Sequence, residues 1–224
     1  MSGALNSVLG GSGGGLLSAI GGLVGGAFGG PIGAMIGQAV GNLLQDAIGD
    51  AVNGAVNELQ EKHGMPKFIG DEIKDASRST LAGLRDNSVS ADLQAAVKSE
   101  AGGAFDKFKT NLQGSLVDEV LSQVRRTATG DDDSGEGGWL QAIAKAMGKV
   151  LGDKASHLVG LSAEMSKLNK KTGDVETDKA NAETFNQKMT EFQATSQEYS
   201  MLNNTFSTAI KSLGEALGSM ARKQ

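Results

Sequence analysis

The sequence predicts an all-α protein, with a long C-terminal helical hairpin or coiled coil and a glycine-rich helical segment at its N-terminal end. Three observations predict this. Phe185, Phe192, Tyr199, Phe206, Leu213 and Met220 follow one another at intervals of seven residues. Gly21, Gly25, Gly29, Gly33, Gly37 and Gly41 follow one another at intervals of four. With 4% aromatic and 39% apolar residues in 224, the chain has too little bulk for a large conventional core, which argues against a compact α/β enzyme.

The first predicted element is residues 1–57, a glycine-zipper segment. Seventeen of the 33 glycines lie in residues 1–54, and no charged residue precedes Asp46. Residues four apart stack on one helix face, so the glycine rows would form a groove that a second helix can approach closely. Leu23, Val24, Phe28, Ile32, Met35, Ile36, Val40, Leu43 and Leu44 stand between them. The stretch from Leu16 to Leu44 could cross a ~30 Å hydrocarbon layer at ~1.5 Å per residue. Against a simple span, each glycine costs a helix roughly 1 kcal/mol relative to Ala, and Pro31 would kink or split it. A segment that enters a membrane or packs between subunits and a low-complexity arm are both compatible with this pattern. A phosphate-binding loop is disfavoured, because no Gly-Lys-Ser/Thr follows Gly11–Gly15.

The second element, residues 58–130, reads as short helices and loops. Ile48, Val52, Val56 and Leu59 carry helical spacing to a stop near Gly64, and Met65-Pro66 breaks it. Beyond it, Ile69, Ile73, Leu81, Leu84, Leu93 and Val97 are interrupted by Gly70, Gly83 and Asn87-Ser88. Ser90 has the position and type of a helix N-cap. After Gly102-Gly103, Phe105, Phe108, Leu112, Leu116, Val120 and Val124 make a clear helical stripe. Residues 131–138, Asp-Asp-Asp-Ser-Gly-Glu-Gly-Gly, read as an exposed acidic linker. An EF-hand loop starting at Asp131 would need Gly at its sixth position and Glu at its twelfth, where Glu136 and Ala142 stand.

The last element, residues 139–224, is predicted as a helical hairpin. Trp139, Ile143, Met147, Val150, Leu158, Leu161, Met165 and Leu168 mark its first helix, and a turn is expected within Asn169 to Asp174. In the second helix Met189, Ser196, Asn203, Ile210 and Leu217 stand four residues after each of the first five heptad positions. That alternation of four and three is a coiled-coil seam. The candidate assembly seam is Phe185, Met189, Phe192, Tyr199, Asn203, Phe206, Ile210, Leu213, Leu217 and Met220. It could be only the core of the hairpin or could also pack between subunits.

Composition narrows the function. No cysteine means no disulfide framework and no thiolate chemistry, and His63 and His157 are too far apart in sequence to suggest a paired site. A net charge of −5 argues against nucleic acid as a partner. No residue set falls in a spacing that catalysis requires, so no catalytic, cofactor or metal site is assigned and the chain is read as a non-enzyme. The start Met-Ser-Gly-Ala-Leu-Asn-Ser lacks the charged n-region of a secretory signal peptide.

The ending from Met201 to Gln224, rich in Ser, Thr and Asn on a heptad frame, resembles the C-terminal helix of extracellular type III secretion filament proteins, the EspA-like group. The likeness covers roughly the last 50 residues. The glycine-rich start is more similar to harpins, and it also resembles the start of phage DNA-pilot proteins. These resemblances imply a bacterial protein exported without a classical signal peptide, which assembles with itself into a filament or a translocator-associated structure and contacts a host membrane. The partners they imply are further copies of the chain, a secretion chaperone and a lipid membrane. A membrane-active, pore-forming harpin-like protein and a phage structural or pilot protein are the competing expectations.

Overall fold

A computed structural model describes residues 31–128, 136–170 and 173–222. Among them stand five α-helices and no strand: α1 (Pro31–His63), α2 (Lys67–Leu84), α3 (Ala91–Ala128), α4 (Glu136–Leu168) and α5 (Val175–Ala221). The fold is all-α, as the sequence predicts.

Local chemistry sets most of the helix ends. The residue after α1 is Gly64, at φ 75°, a left-handed conformation that side chains other than glycine's resist. The Met65 amide then donates to the Leu59 carbonyl at 3.1 Å, and Pro66 leads into α2. Ser90 caps α3 as expected, its hydroxyl accepting from the Leu93 amide at 3.3 Å. Gly173, at φ 86°, lets the chain reverse between α4 and α5. Asp174 accepts from the Thr177 amide at 3.0 Å and caps the first turn of α5.

Packing closes the helices into a ring: α1 lies against α3, α3 against α4, α4 against α5, α5 against α2, and α2 against α1. The interior is aliphatic and small. Val40, Leu44, Ile48 and Val52 of α1, Ile69 and Ile73 of α2, and Leu112 of α3 are almost wholly enclosed, together with Leu202, Phe206 and Leu213 of α5. Glycines let two of these contacts close. A Cβ on Gly70 of α2 would lie 2.8 Å from Val56 Cγ1 of α1, and one on Gly49 of α1 would lie 3.3 Å from Leu81 of α2.

The connection from α2 to α3 is clasped by α1. Asn42 Nδ2 donates to the Asp86 carbonyl at 2.9 Å while its Oδ1 accepts from the Asp86 amide at 3.0 Å. Gln45 donates to the Leu84 carbonyl at 2.9 Å, and Arg85 pairs with Asp46 at 2.7 Å. Backbone groups left over where α2 stops thus find partners on α1.

Three expectations need correction. The boundary placed at residue 57 does not exist as a break, because α1 runs unbroken across it on one buried face from Ile36 to Leu59. Residues 58–130 are not short helices: α3 alone spans 38 residues and passes through Gly102-Gly103, held there by the burial of Ala101 and Phe105 on either side. Packing of a continuous apolar face outweighs the roughly 1 kcal/mol that each glycine costs. The acidic linker lies largely outside the described residues, but its last three residues, 136–138, form the start of α4.

Beyond the ring, α4 and α5 continue together as a two-helix arm. No α5 residue from Val175 to Gln193 is fully buried, and in α4 after Lys154 only Leu161 is. Nineteen residues at ~1.5 Å each give this part of α5 a length of about 28 Å.

Candidate functional site

The predicted seam and the face that α5 actually buries are different stripes of one helix. Fully buried on α5 are Ala194, Thr195, Glu198, Met201, Leu202, Thr205, Phe206, Ala209 and Leu213. At 100° per residue the centre of that set lies about 100° around the helix from the centre of the heptad row. The two share only Phe206 and Leu213, each 0% exposed. Phe185, Met189, Phe192, Tyr199, Asn203, Ile210 and Leu217 are half-buried along one border of the core face, and the side chain of Met220 lies outside the described set.

The reason is the size of the neighbours. Two helices, α2 and α4, pack along α5 and need a wide buried face, and its middle is filled by Ala194, Thr195, Thr205 and Ala209, which let them approach. Large aromatic side chains suit the shoulder, where there is room.

The glycine rows fall differently again. Gly21, Gly25 and Gly29 lie outside the described residues, and Gly33 lies within α1 near its described start. A Cβ on Gly37 would meet nothing within 4 Å. Of the predicted close-packing row, Gly41 makes a close approach: a Cβ there would lie 3.1 Å from Gln197 Nε2 and 3.8 Å from Met201 on α5. No helix among the described residues is long and apolar enough to cross a membrane.

Charged side chains build a ladder between α4 and α5. Lys154 and Glu198 form the innermost rung, with the Lys154 Nζ also 5.6 Å from the centre of the Phe108 ring on α3. Next along the arm, His157 Nε2 lies 3.4 Å from Glu191, within ion-pair range but not aligned as a hydrogen bond. The outer rung joins Lys188 to Glu164 at 3.0 Å, and Lys188 also reaches Glu191 at 3.1 Å. The hydrogen bond from Lys188 to Glu164, supported by Glu191, holds the ammonium above the ordinary lysine range against the opposing effect of partial burial.

This ladder was not legible beforehand. Lys154 and Glu198 are 44 positions apart, and nothing in their local sequence marks them as buried. Only the recurrence of Ala194 with Thr195, then Glu198, then Met201 with Leu202, then Thr205, each group three or four residues from the next, carries a signal for the true core face, and the louder aromatic row hides it.

No group of His, Asp and Glu side chains that could hold a metal ion occurs among the described residues. A void of about 20 Å³ lined by Val52, Val56, Met65, Ile73, Leu116 and Ile143 has space for roughly one water but offers it no polar partner. The candidate site among the described residues is the arm with its half-buried aromatic shoulder. No protein-family model matches the chain, and neither a curated protein nor a solved structure is similar to it.

Proposed function

We propose that this protein is a self-assembling helical structural protein, not an enzyme, and that the α4–α5 arm is its assembly element. The observation that supports this reading most directly is the row of half-buried Phe185, Met189, Phe192 and Tyr199, none of which the protein's own packing fully encloses. Aromatic side chains held at a rim, with the polar rungs of the ladder fixing the two helices in register, form a surface suited to another helix. The resemblance of the last 50 residues to extracellular type III secretion filament proteins places this assembly, in our reading, outside a bacterial cell, as a filament or translocator-associated component contacting a host membrane. A secretion chaperone that masks the arm before export fits the same reading, since an exposed aromatic row invites premature association.

The test uses Phe185→Asp with Phe192→Asp, positions half-exposed enough to change without destroying the core. Phe206→Asp would unfold the protein, because that ring is wholly buried. Electron microscopy and sedimentation of the purified full chain should show assemblies that the double variant fails to form. Assemblies unchanged in the double variant would remove the arm from the mechanism.

A further inference from the structure

Helix α5 has a second face, beside the aromatic shoulder, whose chemistry is unusual for an exposed helix. From Thr184 to Ile210 the only charged residues of α5 are Lys188, Glu191 and Glu198. All three are turned to α4, where they meet Glu164, His157 and Lys154. What remains outside is a strip of amides and hydroxyls: Asn186, Gln193, Ser196, Ser200, Asn204 and Ser207, all exposed. Their spacings of seven, three, four, four and three keep them on one side of the helix for about 30 Å at ~1.5 Å per residue. Ordinary solvated faces of this protein look different, as α2 shows in exposing Asp71, Asp75 and Arg78 within eight residues.

We infer that this charge-free strip is where two copies of the chain meet, α5 antiparallel to α5 about a two-fold axis close to Ser196 and Ser200. Two properties select a second copy as the occupant. The protein carries a net charge of −5, so two copies repel each other on balance, and a neutral strip is where they approach at least cost. In a two-fold contact, moreover, residues near the axis face their own counterparts. Lysine facing lysine, or glutamate facing glutamate, is excluded there. Hydroxyls and amides both donate and accept, so each can bond to its own copy. Ser196 and Ser200, small and at the middle of the strip, let the helices approach within the 8–10 Å typical of packed pairs. Met189 and the half-buried Asn203 border the strip and would be covered with it.

The inference rests on the assembly reading above and specifies its first contact. The full chain lacks cysteine, so a single Ser200→Cys substitution gives one thiol that can pair only with another copy. Mild oxidation of that chain should yield a covalent dimer at least about tenfold faster than the Ser162→Cys chain, whose residue is exposed on α4 away from the strip. Ser200→Glu should weaken dimerisation in sedimentation equilibrium at least tenfold, since it sets like charges opposite each other across the interface. An equimolar mixture of the Ser200→Glu and Ser200→Lys chains should restore it. If the protein assembles but Ser200→Glu changes nothing and both thiols cross-link at equal rates, the strip is not the contact, while the assembly reading stands on its own test. A chain that sediments as a monomer at high micromolar concentration overturns both.

Discussion

Lys154 and Glu198 form an ion pair inside the protein, across the contact between α4 and α5, with side chains 2% and 1% exposed. A pair removed from water in this way loses its hydration on both sides. Its mutual attraction and the nearby Phe108 ring offset that loss only while both partners are present. Lys154→Met alone is expected to destabilise the fold by about 3–5 kcal/mol, because it leaves Glu198 buried without a counter-charge. Lys154→Met with Glu198→Leu should recover the parent stability or exceed it by up to about 4 kcal/mol. Urea unfolding of the two single variants and the double variant measures the coupling; equal losses in all three would show that the pair is not the unit that matters.

Phe206 and Phe185 occupy equivalent heptad positions, yet only the first is enclosed. Phe206→Ala is expected to cost roughly 3–5 kcal/mol through lost burial and the cavity left behind. Phe185→Ala, half-buried on the arm, should cost about 1 kcal/mol. Chemical denaturation of both variants, kept dilute to suppress association, tests the difference. Similar losses would mean that the aromatic row is packed uniformly.

Glycines that look alike in the sequence should respond oppositely to alanine. A Cβ at Gly70 would overlap the end of the Gln60 side chain, which can shift, and would lie 2.8 Å from Val56 Cγ1, on a short branched side chain that is itself 4% exposed. Gly70→Ala should therefore destabilise by about 1–3 kcal/mol. At Gly103 and Gly114, inside α3, a Cβ would meet nothing within 4 Å. Alanine at either should stabilise by about 0.5–1 kcal/mol through helix propensity. Thermal melts of the three variants decide, and a loss at Gly103 would mean that the helix there is not regular.

Asn42 is 2% exposed and holds both polar groups of the Asp86 backbone. Its replacement by alanine strips partners from a donor and an acceptor at once, and the expected loss is about 1–3 kcal/mol. Hydrogen exchange should show faster opening at the Asp86 amide, in the α2–α3 connection, than at amides within α3. Protection retained there would indicate that Gln45 and Arg85 hold the connection unaided.

Asp174 gives the arm a pH dependence of definite sign. Hydrogen bonds from the Thr177 hydroxyl and amide hold its carboxyl below the ordinary aspartate range. A group whose folded value is depressed contributes stability that is present above its unfolded value and lost as pH falls through the folded one. The first turn of α5 should accordingly fray below about pH 4, near the reference aspartate value. Amide signals at Thr177 followed through an acid titration test this, and Asp174→Ala should remove the dependence while lowering protection at neutral pH.

Much of the helical layout was readable because helix ends are local events. Gly64 with Pro66, Ser90 before Leu93, and Gly173 with Asp174 each impose a backbone conformation or satisfy an orphaned amide within a few residues, so their types and positions suffice. The length of α3 was not readable, since Gly102-Gly103 argues for a break. Burial of Ala101 and Phe105 against other helices overrides that local preference.

The sequence by itself determined the all-α class, the hairpin turn, and the two compositional extremes of the chain, a charge-free glycine-rich start and an aromatic heptad row near the end. These depend on periodicity and composition, which any stretch of sequence carries within itself. Only the tertiary structure decided which side of α5 is core. That choice depends on how closely α2 and α4 approach, and small residues such as Ala194 and Ala209 admit a neighbouring helix where Phe185 and Phe192 would hold it off. It turned the row predicted as a seam into a shoulder, drew Lys154 and Glu198 into the interior, and left Ser196 and Ser200 facing outward. Contacts between residues tens of positions apart have no local signature, so which side of α5 faces outward emerged only once the helices were packed.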